Sequence, residues 1–171
     1  MTWDGVMWAT TAHEIGRRIW IAWREKGFNS SSTTSLHMCS PTRAALLSGR
    51  YWSRFGVTSA QNERVYPFET VTLPRALQAS GYATALCGKW HLGSRGDWGP
   101  NRFGFDHSYG SLAGGVGPYL HQYKRGPFEE TWHRNHTLLQ EKGHVTDLIT
   151  QEAVNWLGRR DARPFFLYVA Y

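Results

Sequence analysis

The chain has 171 residues, enough for one respectable hydrophobic core and no more than one domain. Its 19 Lys and Arg against 13 Asp and Glu give a net charge of +6, which suits an anionic partner, yet the basic residues are scattered among aromatics without a dense run or a recognisable nucleic-acid module, so no nucleic-acid role is expected. Two cysteines are too few for a disulfide framework, and no apolar run is long enough to span a bilayer.

Met1 to His37 carries Trp3, Trp8, Trp20 and Trp23 with neither a helical nor an alternating period, passes through a polar run from Asn29 to Ser35, and lacks a charged-then-apolar secretory pattern. From Cys39 the sequence Cys-Ser-Pro-Thr-Arg-Ala-Ala-Leu-Leu-Ser-Gly-Arg predicts a turn running into a helix. Pro41 suits a first helical turn, Ala44 to Leu47 are strong helix formers, and Gly49 can take a left-handed stop. Cys39 then sits at a helix N-terminus, where free N–H groups and the positive dipole end favour an anion, and Arg43 projects from the same face one turn on. Taken alone, these residues also fit a core cysteine beside a surface arginine.

Tyr51 to Phe68 reads as a loop whose aromatics and arginines cover the core, and Thr72, Pro74 and Gly81 as the cap, first turn and stop of a short helix. Tyr82 to Cys87 is an apolar run of strand length between glycines, which predicts a buried parallel strand with Cys87 in the core rather than in a disulfide with Cys39. Lys89 and His91 follow where that strand ends, the place at which ligands collect in open α/β sheets. Asn101 to Tyr123 is glycine-rich without phosphate-binding spacing and reads as a flexible substrate-side loop that includes His121. His133 and His136 read as surface histidines, and Asn135-His136-Thr137 as a formal glycosylation sequon. Thr146 is expected to cap an amphipathic helix running to about Leu157, with Gly158 as its stop. Phe165 to Tyr171, after Pro164, reads as a buried strand. The alternation of helix and strand predicts an α/β fold with a mostly parallel sheet flanked by helices.

Two stretches carry a family resemblance. Cys39-x-Pro41-Thr42-Arg43 followed by Leu46-Leu47-Ser48-Gly49-Arg50 resembles the signature of the type I sulfatases, and Gly81 to Gly93, with Gly88-Lys89-Trp90-His91-Leu92-Gly93 at its end, resembles the family's second signature. The resemblance implies an alkaline-phosphatase-like fold, present here in part, and a sulfuric ester hydrolase of the arylsulfatase kind. It implies that Cys39 is converted to formylglycine by a separate maturation enzyme, which leaves a nucleophile precursor that also ligates calcium. It assigns Arg43 to orienting that group, Lys89 to the sulfate oxygens and His91 to the formylglycine hydroxyls, and makes His121 a weaker substrate-binding candidate, since Leu120 stands where a hydroxyl residue is common. The family is usually exported.

The same resemblance leaves residues 1–37 unexplained, because a sulfatase start should bring a strand ending in an Asp-Asp metal pair and a Thr-Pro-Asn-Leu-Asp helix start. Read one base out of frame, codons for Met1 onward permit Asp-Leu-Gly-Trp-Gly-Asp-Val-Gly, and those for Gly16 to Ile21 permit Thr-Pro-Asn-Leu-Asp. Residues 1–37 are therefore expected to be an out-of-frame sulfatase start or else a genuine unusual arm, and residues 38–171 a partial catalytic domain. With few carboxylates to hold calcium, weak activity or none is expected. The alternative is a non-catalytic remnant that binds anions.

Overall fold

A computed structural model describes residues 37–123, 130–159 and 161–171. The chain divides into two units, Met1–Ser35 and Leu36–Tyr171, and the architecture below is that of the second. The expectations for residues 1–36 lie outside the described residues.

The element at the head of the unit is helix α1 (Cys39–Ser48), which Gly49 ends in a left-handed conformation (φ 65°), its N–H donating to the Ala45 carbonyl. A single 3-10 turn, Trp52–Phe55, leads to a loop and then to α2 (Leu73–Ala79), capped as the sequence predicts by the Thr72 hydroxyl, which accepts the Arg75 N–H. Strand β1 (Ala83–Gly88) is buried at all six positions, as befits a central parallel strand. After it come β2 (His107–Ser111), β3 (Trp132–Arg134), β4 (Thr137–Leu138), helix α3 (Val145–Arg159) and β5 (Phe165–Ala170).

The sheet runs β4-β3-β2-β1-β5. Both neighbours of β1 are parallel to it, in registers that place Ala83 opposite Phe165 and Ala85 opposite His107, while β3 and β4 extend the sheet as antiparallel strands. The period-two alternation of β1 divides the core between the two faces. Leu86 joins Leu47, Tyr66, Trp90 and Phe103 on the α1 side, and Cys87 joins Tyr109, Trp132, Ile149 and Ala153 on the α3 side. Helices flanking a mixed sheet are the α/β class the alternation predicts. Cys87 is fully buried and unpaired, its thiol pushed up to about 12 chiefly by burial.

Four local expectations are corrected. The region 101–123 is not one flexible loop, because β2 occupies its middle. Ser108 and Ser111 can lie in the core because their hydroxyls are satisfied, by Asn101 and His133 in one case and by the Ala113 carbonyl and Thr131 in the other. His133 is not at the surface: β3 pairs it with Gly110, its Nδ1 faces the Gly110 carbonyl at 2.7 Å and its Nε2 faces Ser108 Oγ at 3.0 Å, whereas His136 is exposed. The strand β5 is not the buried strand expected: among the described residues it is the edge strand beside β1, with Phe165 and Val169 exposed and Ala170 its one buried residue, while the sequon residue Asn135 accepts the Ser108 N–H through Oδ1. Finally, α3 begins at Val145 rather than after a Thr146 cap, because the His144 imidazole accepts the Thr146 N–H and the His144 carbonyl the Leu148 N–H, and the helix runs through Gly158 to Arg159.

Candidate active site

The chain enters α1 from an extended Met38 (φ −126°, ψ 137°), so Cys39 is the first helical residue, half-buried, with Pro41 inside the first turn. The first turn of α1 contains no acidic residue, which leaves the positive end of the helix uncompensated. The helix is held from beneath: Tyr66 donates its hydroxyl to the Ala44 carbonyl at 2.7 Å, and Ser40 Oγ accepts the Gln61 N–H at 3.2 Å.

Arg43, one turn along, directs its guanidinium to the end of the sheet. Nη1 donates to the Lys89 carbonyl at 2.6 Å and to the Tyr168 hydroxyl at 3.3 Å, and the guanidinium carbon lies 5.9 Å from the Tyr168 ring centre. Lys89 is the first residue beyond β1. Its N–H continues the β5 ladder to the Ala170 carbonyl, whereas Trp90 and His91 turn to the other neighbour, donating to Ser111 and Leu112. The Lys89 ammonium lies close enough to Cys39 for the two groups to interact. Burial holds its pKa below the ordinary lysine value, Cys39 acts in the opposite sense, and the nearby Arg43 guanidinium reinforces the depression.

His91 has a left-handed backbone (φ 58°) and is 4% exposed. Its pKa is pushed down to about 4, first by burial and then by the charges of Lys89 and Arg43, so the ring is neutral at pH 7. Nδ1 is buried without a hydrogen-bond partner among the described residues. Four of the five residues singled out in the sequence therefore meet at the carboxyl end of β1: Cys39, Arg43, Lys89 and His91. Neither Arg43 nor Lys89 is paired with a carboxylate among the described residues. A cavity of about 350 Å³, lined by Cys39, Thr42, Arg43, Leu46 and Tyr168, opens over the cysteine. On its far side Lys89 lines a second cavity, of about 220 Å³, with Ser111, Gly114 and Trp132.

His121 is not part of this cluster. It is 2% exposed, its ring stacks on Trp132 at 4.8 Å, and its Nε2 faces the Gly143 carbonyl at 3.0 Å, so it lines neither cavity and helps seat the 140s loop instead. Tyr168, which touches Arg43, went unmarked in the sequence. It reads there as one more apolar strand residue, and only the pairing of β5 with β1, which sets it opposite Leu86, brings it to the site.

The Sulfatase family model matches residues 16–171. The chain belongs to the sulfatase family. Among curated relatives, this sulfatase chain is 36% identical over 155 residues to N-acetylgalactosamine-6-sulfatase of Mus musculus, covering 78% of the chain and 30% of that protein. It is 40% identical over 97 residues to arylsulfatase G of Homo sapiens, covering 55% of the chain and 17% of that protein. A solved structure of Ps i-CgsB in complex with k-i-k-neocarrahexaose superposes with a TM-score of 0.66 at 33% identity, covering 78% of the chain and 34% of its counterpart. The chain thus spans about 30% of the length of the N-acetylgalactosamine-6-sulfatases it matches. Family membership also raises calcium. Among the described residues no group of three or more His, Cys, Asp and Glu side chains could hold a metal ion, so this part of the molecule does not by itself fit that cation.

Proposed function

We propose that this chain carries the nucleophile and anion-binding part of a sulfuric ester hydrolase, in which Cys39 is oxidised to formylglycine by a separate maturation enzyme. One observation carries the reading: two cations without carboxylate partners among the described residues, Arg43 and Lys89, meet a half-buried cysteine at the positive end of α1. A sulfate ester, R–O–SO3⁻, presents the anionic oxygens such a site would bind, and hydrolysis consumes one water to give the alcohol and hydrogen sulfate.

Formylglycine supplies a hydrated aldehyde whose hydroxyl can displace the alcohol from sulfur. Around it Lys89 binds the sulfate oxygens, and Arg43, fixed by the Lys89 carbonyl and by Tyr168, orients the group at position 39. His91, kept neutral by burial, is able to take up a proton there. The substrate class is a sulfate monoester of an aryl alcohol or a sugar, in keeping with relatives called arylsulfatases and N-acetylgalactosamine-6-sulfatases. Turnover by this chain alone is expected to be weak or absent.

Inorganic sulfate tests the reading by calorimetry. Lys89→Ala or Arg43→Ala is expected to weaken binding roughly 10- to 100-fold, the worth of one hydrogen bond to a charged group. Equal affinity in the wild type and both variants would remove the anion site. The absence of a metal-holding cluster among the described residues favours a second reading, a non-catalytic anion-binding member of the family in which Cys39 stays a thiol.

A further inference from the structure

The loop from Tyr51 to Phe68 carries no chemistry in the reading above, yet two of its residues touch both halves of the site. Gln61 exchanges hydrogen bonds with Ser40, the residue after Cys39: its N–H donates to Ser40 Oγ at 3.2 Å and its carbonyl accepts from that hydroxyl at 3.3 Å. Asn62, next in sequence, holds the two turns that enclose His91. Its backbone carbonyl accepts the Ser94 N–H at 2.9 Å, on the turn leaving His91, and its side-chain Oδ1 accepts the Gly114 N–H at 3.2 Å, on the turn leaving β2.

Gly114 is in close contact with the catalytic histidine. A Cβ built on it would fall within the His91 imidazole, against Nε2 and Cε1, so the absence of a side chain at 114 gives the ring its seat. The His91 N–H is itself tied to the Leu112 carbonyl at 3.0 Å, two residues before that seat. A ring held in a left-handed backbone conformation stays there only where its surroundings over-determine it, and these contacts are those surroundings.

We propose that Gln61 and Asn62 form a brace that fixes His91 relative to Cys39, with Asn62 and Gly114 as positioning residues for the His91 ring. His91's part in the reaction is taken from the reading above. The brace itself requires neither turnover nor an oxidised Cys39.

The experiment is imidazole NMR on the full chain, with His91 assigned among the eight histidines from the spectrum of His91→Gln. In the wild type the His91 ring is expected to titrate near 4, held down by burial and by Lys89 and Arg43. Asn62→Ala, at a half-buried position, is expected to release the Gly114 turn: the Gly114 amide exchanges with solvent at least tenfold faster, and the His91 midpoint rises toward the ordinary value of about 6.5 as the ring gains water. Gly114→Ala is expected to raise the midpoint in the same direction by displacing the ring. Asn62→Asp, which keeps an acceptor, is expected to leave the Gly114 amide protected. A lowered melting temperature alone would not support the brace. A folded Asn62→Ala protein with an unmoved His91 midpoint and a still-protected Gly114 amide would overturn it, and if Asn62→Ala does not fold, an unmoved midpoint in Gly114→Ala does so. A thiol retained at residue 39 would defeat the formylglycine reading and leave these outcomes untouched.

Discussion

Lys89 shows how the site's chemistry follows from one side chain's surroundings. Burial works against its charge, with Arg43 adding to the penalty, and the negative charge of a bound sulfate would oppose both effects. The sign follows: an anion that prefers the protonated ammonium binds more weakly as pH rises through the depressed lysine pKa. Sulfate affinity followed from neutral to alkaline pH is expected to fall in the wild type and to lose that fall in Lys89→Ala. A pH-independent wild type would contradict the assignment of Lys89. This residue was legible in the sequence, as were Cys39, Arg43 and His91, because each lies within a short contiguous motif at a helix start or a strand end. Asn62, Gly114 and Tyr168 were not. Each reaches the site through a partner far along the chain, Gly114 and Ser94 for Asn62, His91 for Gly114 and Arg43 for Tyr168, and no local pattern marks such a meeting.

At the scale of elements, β1 and the residue that ends it set the geometry. Gly88 has φ 123°, and a Cβ there would run into the backbone carbonyl of Ala170, so close pairing of β1 with β5 depends on glycine just before Lys89. Gly88→Ala is expected to cost about 2–3 kcal/mol of stability and to weaken sulfate binding by shifting Lys89, read by urea denaturation and calorimetry on the same protein. A variant as stable as the wild type would show that the approach is not required. The helices α1 and α2 and the strand β1 were legible because caps, glycine stops and apolar runs coincide in them, and β5 was legible as a strand but not as an edge one, since its apolar run reads as buried. The middle of the sheet was not. His-Ser-Tyr-Gly-Ser in β2 has no branched aliphatic residue and its burial rests on hydroxyl partners supplied by Asn101, Thr131 and His133, while β3 and β4 are only three and two residues long. His133 was misread for the same reason, since only its pairing with Gly110 buries it.

Among the described residues, two buried histidines are held neutral at pH 7 and a half-buried third is lowered in the same direction. His91 and His133 are both pushed down to about 4, mainly by burial, and His107 is lowered by burial against the opposing pull of Glu152. A folded pKa below the unfolded value of about 6.5 means that the unfolded chain takes up protons the native one refuses, so stability is full above that value and is lost as pH falls toward 4. Each of the first two could account for up to about 3 kcal/mol over that window. Glu141, whose carboxyl is held below the ordinary range by Tyr109, Trp132 and Arg134 against burial, acts only at lower pH. The urea midpoint is expected to be lower at pH 5 than at pH 7.5, and a midpoint that is unchanged or higher would contradict burial of neutral rings. The parallel pairing of β1 with β5, which brings Lys89 and Tyr168 together at Arg43, is what places a cysteine among cations. The chain should therefore be produced together with a formylglycine-generating enzyme, and the peptide carrying residue 39 examined by mass spectrometry, with buried Cys87 as the internal thiol reference. The account predicts an aldehyde at residue 39, trapped by a carbonyl-reactive probe and resistant to alkylation. A thiol there that alkylates like any free cysteine would contradict it.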